Sequence, residues 1–320
     1  MQTSTWNEAD HPRAPVGRTN GGQFISFTHA SPTEMKLRGT EKDKHYNDLK
    51  YNKEKKRWET ADGDPVPDHI AARLKEIGAK PGHVRVALNP DYNAPLQYRG
   101  IDAKGRVQPI YSAAHSEASA AEKFARLKEF NSELPALSSK IAAGMKAGDD
   151  SAAVLRVIER TGIRVGSDRE TFAAQRAYGA STLLGQHVKI DGDMVSLNFP
   201  GKSGKVNERM FKDPELAAYL SGKKLSENTR VFDTRDTKVR DTMDKMTRSK
   251  GFSPKDFRTM WGTATAISAI KSAPKPKNEK EWNKLHADVS KTVSSFLGNT
   301  PAVASKYYID PAVWPDKKGF

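Results

Sequence analysis

The sequence predicts an α+β protein in which a small mixed β/α domain precedes a larger, mostly helical domain. Between residues 46 and 116, short segments that alternate between apolar and polar residues surround one amphipathic segment, a pattern typical of strands packed on a helix. From residue 117 onward apolar residues recur at helical spacing, and a predicted three-stranded β meander interrupts that pattern once. We therefore predict domains at 46–116 and 117–320. Residues 1–45 lack apolar periodicity and are predicted to form a flexible extension.

In the first domain, the amphipathic segment places Ile70, Leu74 and Ile77 on one face, and Asp68 is a candidate N-terminal cap. The predicted order is a strand over 51–58, a turn over 61–64, a helix over 68–77, a strand over 82–88, and a strand, turn and strand over 97–110.

In the second domain, the meander is predicted from three β-rich segments joined by turns that contain glycine. A linker rich in Lys and Pro at 273–278 separates the last two predicted helices. Helices are predicted over 120–130, 135–144, 152–161, 169–177, 214–220, 237–249, 254–269 and 278–297, and strands over 188–190, 195–199 and 206–211.

The composition restricts the possible functions. The chain has 320 residues and a net charge of +14, which favours a polyanionic partner, most simply nucleic acid, over charge that serves solubility alone. It has no cysteine, which excludes disulfides, thiolate metal sites and cysteine nucleophiles. No apolar run is long enough to span a bilayer, and the N-terminus lacks the apolar region of a signal peptide. We therefore expect a soluble cytoplasmic protein.

Several polar side chains in the helical domain have chemistry that can act on a phosphate. Arg164 and Arg258 can hold its non-bridging oxygens, and a lysine in the turn FPGKSGK can protonate a leaving oxygen. A tyrosine can act as a covalent nucleophile. Each of these residue types is common at ordinary surfaces, so none of them identifies a site alone. The candidates are Arg164, Lys202, Lys255, Arg258, Asn299, Lys306, Tyr307 and Tyr308.

Taken in order, these segments resemble type IB DNA topoisomerases of the small, poxvirus-like and bacterial kind. The resemblance covers residues 46 to about 315. The first domain contributes GIDAKGRVQPIY at 100–111, followed by FARLKEF at 124–130. The helical domain contributes RVG and AYGASTLLGQHV between 164 and 188, FPGKSGK at 199–205, KDFRTMWGT at 255–263 and LGNTPAVASKYYIDP at 297–311.

The resemblance implies catalytic roles for six residues. It implies that Tyr308, rather than its neighbour Tyr307, is the nucleophile, because Tyr308 lies nine residues after Asn299 and is followed by Ile-Asp-Pro. Arg164 and Arg258 match the arginines that hold the phosphate. Lys202 matches the general acid of the hairpin, and Lys255 matches a lysine that assists proton transfer.

The sixth of these residues is Asn299, which stands where the family often has histidine. The nearest histidine, His286, is out of register. An amide can donate to a phosphate oxygen but brings no charge.

The resemblance also implies duplex DNA as the partner, bound by a monomer that closes as a clamp, and a reaction that needs neither a metal nor another cofactor. Pro109 replaces a frequent aromatic residue of the family, and Ser167 and Glu170 follow RVG where basic or aromatic residues can occur. The preferred cleavage sequence is therefore not predicted. The candidate DNA contacts are Lys104, Arg106, Gln108, Tyr111, His187 and Lys205.

Two alternatives remain at this stage. A tyrosine recombinase or integrase shares the covalent chemistry, but recombinases generally have histidine three residues before the second arginine, where this chain has Lys255. A DNA-binding protein without activity requires the loss of a catalytic group, and only Asn299 departs from the expected set. The motifs favour a topoisomerase of bacterial or viral type.

Overall fold

The computed structural model describes residues 46–168 and 176–316. The chain divides into two compact units, with described residues 46–122 in the first and 123–168 and 176–316 in the second. The predicted extension 1–45 and most of the predicted helix 169–177 lie outside the described residues. Each helix in the described part of the chain is too short or too polar to cross a membrane.

The first unit contains a hairpin, one helix and a three-stranded antiparallel sheet. Helix α1 covers one face of the sheet, and the core between them is apolar. The elements are β1 (Lys50–Asn52), β2 (Arg57–Glu59), α1 (Asp68–Glu76), β3 (Arg85–Leu88), β4 (Leu96–Ile101) and β5 (Val107–Tyr111), and the sheet order is β3-β4-β5.

Two predictions for this unit were wrong in detail. The single strand expected over 51–58 is a hairpin, because Asn52 Oδ1 accepts from the backbone N–H groups of Glu54 and Lys55 and turns the chain. Asp68 is not the cap of α1. Pro67 occupies that position, and Asp68 is the first helical residue, where its charge still favours the helix N-terminus.

The second unit contains the predicted meander within a set of helices. Strand β7 pairs with both neighbours, antiparallel, as expected from the turns at 191–193 and 201–204. The elements are α2 (Ala113–Lys146, which begins in the first unit), α3 (Asp150–Thr161), β6 (Val188–Asp191), β7 (Met194–Pro200), β8 (Val206–Lys212), α4 (Pro214–Ser221), α5 (Asp236–Met246), α6 (Pro254–Ser272), α7 (Glu279–Leu297) and α8 (Pro301–Tyr308).

Two helical features differ from the prediction. The helices expected over 120–130 and 135–144 are one continuous helix, α2, which runs through Pro135. Its buried residues stay at helical spacing across the proline, since Leu137 lies seven residues, about two turns, after Phe130. Pro135 has no N–H to donate to the carbonyl of Asn131, and Asn131 is exposed to water. Helix α8 was not predicted, although Thr300 caps it and Pro301 begins it.

Left-handed glycines end the two helices that precede the candidate site residues. Gly162 follows α3 with φ of 63°, and Gly298 follows α7 with φ of 63°. This conformation carries little steric cost for glycine and turns the chain sharply out of the helix. Arg164 therefore lies two residues after Gly162, and Asn299 lies one residue after Gly298.

A buried ionic cluster joins α3 to the end of β8. Asp213 is fully buried, and its carboxylate accepts from Arg156 Nε at 2.6 Å and Arg160 Nε at 2.9 Å. The same carboxylate caps α4 through the backbone N–H of Leu216. Burial acts to raise the pKa of Asp213, but these hydrogen bonds outweigh it, so the pKa lies below its ordinary value.

Replacing Asp213 with alanine is expected to lower the free energy of unfolding by about 3–5 kcal/mol, because two arginines lose a buried partner. Urea unfolding followed by circular dichroism at pH 7 measures the change. The control is Asp193→Asn, which removes a surface pair with Lys212 and should cost at most ~1 kcal/mol. Equal losses in the two variants would contradict this account.

The lowered pKa also sets the pH dependence of this contribution. The unfolded chain takes up the proton at Asp213 first as the solution is acidified. The stability is therefore present above the unfolded pKa of about 4 and is lost as pH falls through the lower folded pKa.

Candidate active site

Arg164 lies in the loop that follows α3, half-buried against the end of α7. Its guanidinium donates to the carbonyl of Gly298 at 3.4 Å and to Asn299 Oδ1. The loop is paired with a second segment, since Ala180 N donates to Arg164 O and Ser181 N to Val165 O. At Gly179 an added Cβ would lie 2.6 Å from Arg164 O, so the close pairing of the RVG and YGAS segments requires glycine there.

Arg258 projects from the second turn of α6 into the interior and is only 4% exposed. It donates to the carbonyls of Gly162 and Leu297, which belong to the ends of α3 and α7. The pKa of Arg258 is lowered to about 10, mainly by burial; Tyr308 opposes the shift, and the charge of Arg164 adds to it. The group remains cationic at neutral pH.

Arg209 is a third arginine at this place, and the sequence analysis missed it. It extends from β8 and donates to the carbonyls of Phe296, Thr161 and Glu208. Three arginines therefore occupy three consecutive carbonyls at the end of α7, namely those of Phe296, Leu297 and Gly298. The alternating sequence pattern of β8 does not predict this contact, because the contact depends on where α7 ends.

Asn299 is 5% exposed and lies between Arg164 and Arg258. Its Oδ1 accepts from Arg164 and, at 3.5 Å, from Arg258. Both neighbours only donate, so the amide oxygen must face them and the NH₂ group must face away. That Nδ2 is buried with no hydrogen-bond partner among the described residues. It is a donor available to an anion.

Tyr308 is the last residue of α8 and is partly buried beside Arg258, whose guanidinium carbon lies 5.2 Å from the ring centroid. Burial acts to raise the pKa of the phenol, but Arg258, Lys255 and Arg164 together outweigh it, so the pKa is below its ordinary value. The neighbouring Tyr307 is 45% exposed.

Helix α6 approaches the backbone of Tyr308 very closely. A Cβ on Gly262 would lie 2.4 Å from the carbonyl oxygen of Tyr308 and 2.9 Å from its Cβ. The next residue, Thr263, donates its hydroxyl to that carbonyl at 3.3 Å and accepts from the backbone N–H of Asp310 at 3.1 Å. Gly262 and Thr263 thus set the distance between α6 and the nucleophile candidate.

The three candidate lysines differ in their contacts with the arginines, Asn299 and Tyr308. Lys205 donates to the carbonyl of Asn299 at 2.7 Å. Lys255 is exposed one turn before Arg258, close enough to lower the pKa of Tyr308. Lys202 lies at the exposed turn between β7 and β8, and within the described ranges its side chain forms no hydrogen bond or ion pair with the other site residues.

The site carries an excess of positive charge. Neither Arg164 nor Arg258 makes an ion pair with a carboxylate among residues 46–168 and 176–316; backbone carbonyls and one amide oxygen hold both guanidinium groups. The same residues contain no group of three His, Asp or Glu side chains that could bind a metal ion. Two forked cations and a free amide donor beside a phenol form a site suited to a phosphate.

Four of the candidate DNA contacts lie in the first unit. Asp102 organises the turn between β4 and β5, with its carboxylate accepting from Arg106, Gln108 and the backbone of Lys104. Strand alternation puts Gln108 on the face that carries the main core and Tyr111 on the opposite face, where it packs with Ala87, Leu96 and Ile101. The two candidates therefore do not share a surface of the sheet.

His187, the fifth candidate contact, is 7% exposed. Its Nδ1 accepts from the backbone N–H of Leu184, and its ring packs on Tyr178 and Phe199. These contacts support the loop before β6, and the role of His187 toward DNA stays a prediction.

Comparison with known proteins agrees with this geometry. A family model described as the catalytic core of eukaryotic DNA topoisomerase I matches residues 112–312. The DNA topoisomerase 1B of Acanthamoeba polyphaga mimivirus is 29% identical over 259 residues, which is 74% of this chain and 76% of the viral protein. The matched range contains Arg164, Arg258, Asn299 and Tyr308. The chain belongs to the type IB DNA topoisomerase family, and its substrate is DNA.

Proposed function

We propose that Tyr308 is the nucleophile of this topoisomerase. Its oxygen attacks a phosphodiester of duplex DNA, the bond from phosphorus to the 5′ oxygen breaks, and the products are a 3′-phosphotyrosyl link and a 5′-hydroxyl. Attack by the 5′-hydroxyl then reverses the step after the strand has rotated. The observation that carries this proposal is the position of Tyr308, whose ring centroid lies 5.2 Å from the guanidinium carbon of Arg258. The charges of Arg258, Lys255 and Arg164 also lower the pKa of its phenol.

Arg164, Arg258 and Asn299 stabilise the transition state in this proposal. Negative charge develops on the non-bridging oxygens as the phosphorus becomes pentacoordinate. The two guanidinium groups have no carboxylate partner within the described residues to neutralise them, and Nδ2 of Asn299 has an unused hydrogen-bond donor. All three groups are already fixed before the phosphate arrives, so little reorganisation opposes the reaction.

Lys202 is proposed as the general acid that protonates the 5′ oxygen. Its exposed position on the turn between β7 and β8 leaves it able to enter a groove of bound DNA. Lys255 is proposed to assist the proton transfer from the surface of α6. Lys205 differs from both, since its ammonium holds the carbonyl of Asn299, which supports a role in fixing that residue.

We also propose that the enzyme is a monomer whose domains, 46–116 and 117–320, close around duplex DNA as a clamp. The net charge of +14 supports extensive phosphate contact, and binding should weaken steeply as salt rises. The candidate DNA contacts remain Lys104, Arg106, Gln108, Tyr111, His187 and Lys205.

The second candidate function is that of a tyrosine recombinase. The family match over residues 112–312 favours the topoisomerase.

The direct test of the nucleophile compares Tyr308→Phe with Tyr307→Phe in plasmid relaxation with EDTA present. Tyr308→Phe should form no covalent adduct yet bind DNA with nearly the parent affinity, because phosphate contacts dominate affinity. Tyr307→Phe should retain most activity, since Tyr307 is 45% exposed. The opposite outcome would transfer the role to Tyr307, and absolute dependence on a divalent metal would contradict the mechanism.

The role of Lys202 can be tested with DNA that has sulfur at the bridging 5′ position. A thiolate leaves with a conjugate-acid pKa of about 8.5, far below that of an alcohol, and so needs little protonation. Lys202→Ala should cleave ordinary DNA about 10²- to 10⁴-fold more slowly and the sulfur substrate near the parent rate. Lys205→Ala is the matched control, and Lys255→Ala, which loses only an assisting group, should be rescued less than Lys202→Ala. Rescue of Lys205→Ala or Lys255→Ala instead of Lys202→Ala would reassign the acid.

Gly262→Ala should slow cleavage strongly while leaving DNA binding intact. The added methyl meets the backbone of Tyr308, so the end of α8 must move, and a displacement of about 1 Å can cost ~10²-fold in rate. Single-turnover cleavage measures the effect. Gly222→Ala is the control, because the nearest atom to its added Cβ lies at an ordinary 3.5 Å. A parent-like rate for Gly262→Ala would mean that Tyr308 does not depend on this contact.

A further inference from the structure

The end of α8 is held differently from the ends of α3 and α7. Those two helices close with a backbone hydrogen bond from a left-handed glycine, Gly162 N to Ile158 O and Gly298 N to Ser294 O. Helix α8 has no such bond, and Ile309 leaves it in an extended conformation. The last carbonyls of a helix need partners from elsewhere, so side chains must fix this terminus.

Two side chains supply those partners from other helices. Thr263 of α6 donates to the carbonyl of Tyr308 at 3.3 Å, and Lys123 of α2 donates to the carbonyl of Tyr307 at 2.6 Å. The Lys123 contact is the shorter and is charge-assisted, which makes it the stronger of the two. It joins the peptide unit immediately before Tyr308 to a long helix that is continuous through this point.

The surroundings of Lys123 indicate that this contact does not serve stability. Its ammonium makes no ion pair with a carboxylate in the part of the chain that the structure describes. The charges of Lys255 and Arg126 lower the pKa of Lys123, and those of Asp256 and Asp310 raise it. Burial is the main cause that lowers the pKa of Lys123, to about 8. A cation in such a place opposes folding at neutral pH, because the unfolded chain holds the proton more tightly.

We propose that Lys123 is a positioning residue for strand cleavage, which holds the carbonyl of Tyr307 and thereby fixes the direction in which Tyr308 projects. The proposal rests on Tyr308 being the nucleophile. In this arrangement Lys123 does not touch the reacting phosphate. It acts through the backbone, as a C-terminal cap of α8 supplied from another helix.

The chain offers a closely matched control on the same helix. Lys140 also extends from α2 and donates to the carbonyl of Met246, the last residue of α5. Lys123 and Lys140 therefore make the same kind of contact, a lysine bound to a carbonyl in the last turn of a neighbouring helix. Only Lys123 makes it next to Tyr308.

The experiment measures single-turnover cleavage of a duplex oligonucleotide by the full chain with Lys123→Met, Lys123→Arg or Lys140→Met. Lys123→Met should slow cleavage about 10- to 100-fold with unchanged DNA affinity, unchanged salt dependence of binding and an unchanged or higher Tm. Lys123→Arg, which can still donate, should recover much of the rate. Lys140→Met should cleave at the parent rate.

Each other result overturns the proposal. A Lys123→Met rate within twofold of the parent removes the positioning role. A drop in affinity together with a salt slope reduced by about one means that Lys123 binds a DNA phosphate directly. Equal slowing by Lys140→Met, or a lowered Tm that accounts for the lost rate, means a general structural role. A parent enzyme that forms no adduct through Tyr308 contradicts the proposed nucleophile first, and this inference falls with it.

Discussion

Three arginines share the C-terminal end of α7, and the candidate active site depends on that contact. Arg209, Arg258 and Arg164 donate to the carbonyls of Phe296, Leu297 and Gly298 in turn. The last carbonyls of a helix lack backbone partners and carry partial negative charge, so they can hold cations together that would otherwise repel. Carboxylates would do so more strongly, but they would also cancel the charge that a phosphate needs.

As a consequence, the three arginines of this site differ in how many of their hydrogen-bond donors are already used. The guanidinium nitrogens of Arg209 all donate to backbone carbonyls, which makes it part of the scaffold. The hydrogen bonds of Arg164 and Arg258 are less complete than those of Arg209. Arg258 reaches Asn299 Oδ1 only at 3.5 Å, and its Nε has no partner among the described residues. These two retain capacity for a further acceptor. The buried Nδ2 of Asn299 points to the same requirement.

The sequence predicted which side chains of this site come together better than it predicted the contacts that support them. Arg164, Arg258, Asn299 and Tyr308 follow from the ordered motifs that resemble the topoisomerase family, and α3, the meander, α6 and α7 follow from periodicity. Lys123, Arg209 and Gly262 were missed because their importance arises from distances between elements, which no local pattern reports. The hairpin at 50–59 and the continuous α2 were misjudged for a related reason, since a short turn and a proline were given more weight than the surrounding contacts.

The central claim is that Arg164 and Arg258 neutralise the charge of the scissile phosphate whereas Arg209 only supports them. Single-turnover cleavage of a DNA with a neutral methylphosphonate at the scissile position tests it most directly. Arg164→Ala and Arg258→Ala should lose ~10²- to 10³-fold on the ordinary phosphodiester and far less on the methylphosphonate. Arg209→Ala should lose a similar factor on both substrates. If Arg164→Ala and Arg258→Ala are impaired equally on both, the arginines act through structure and the account is contradicted.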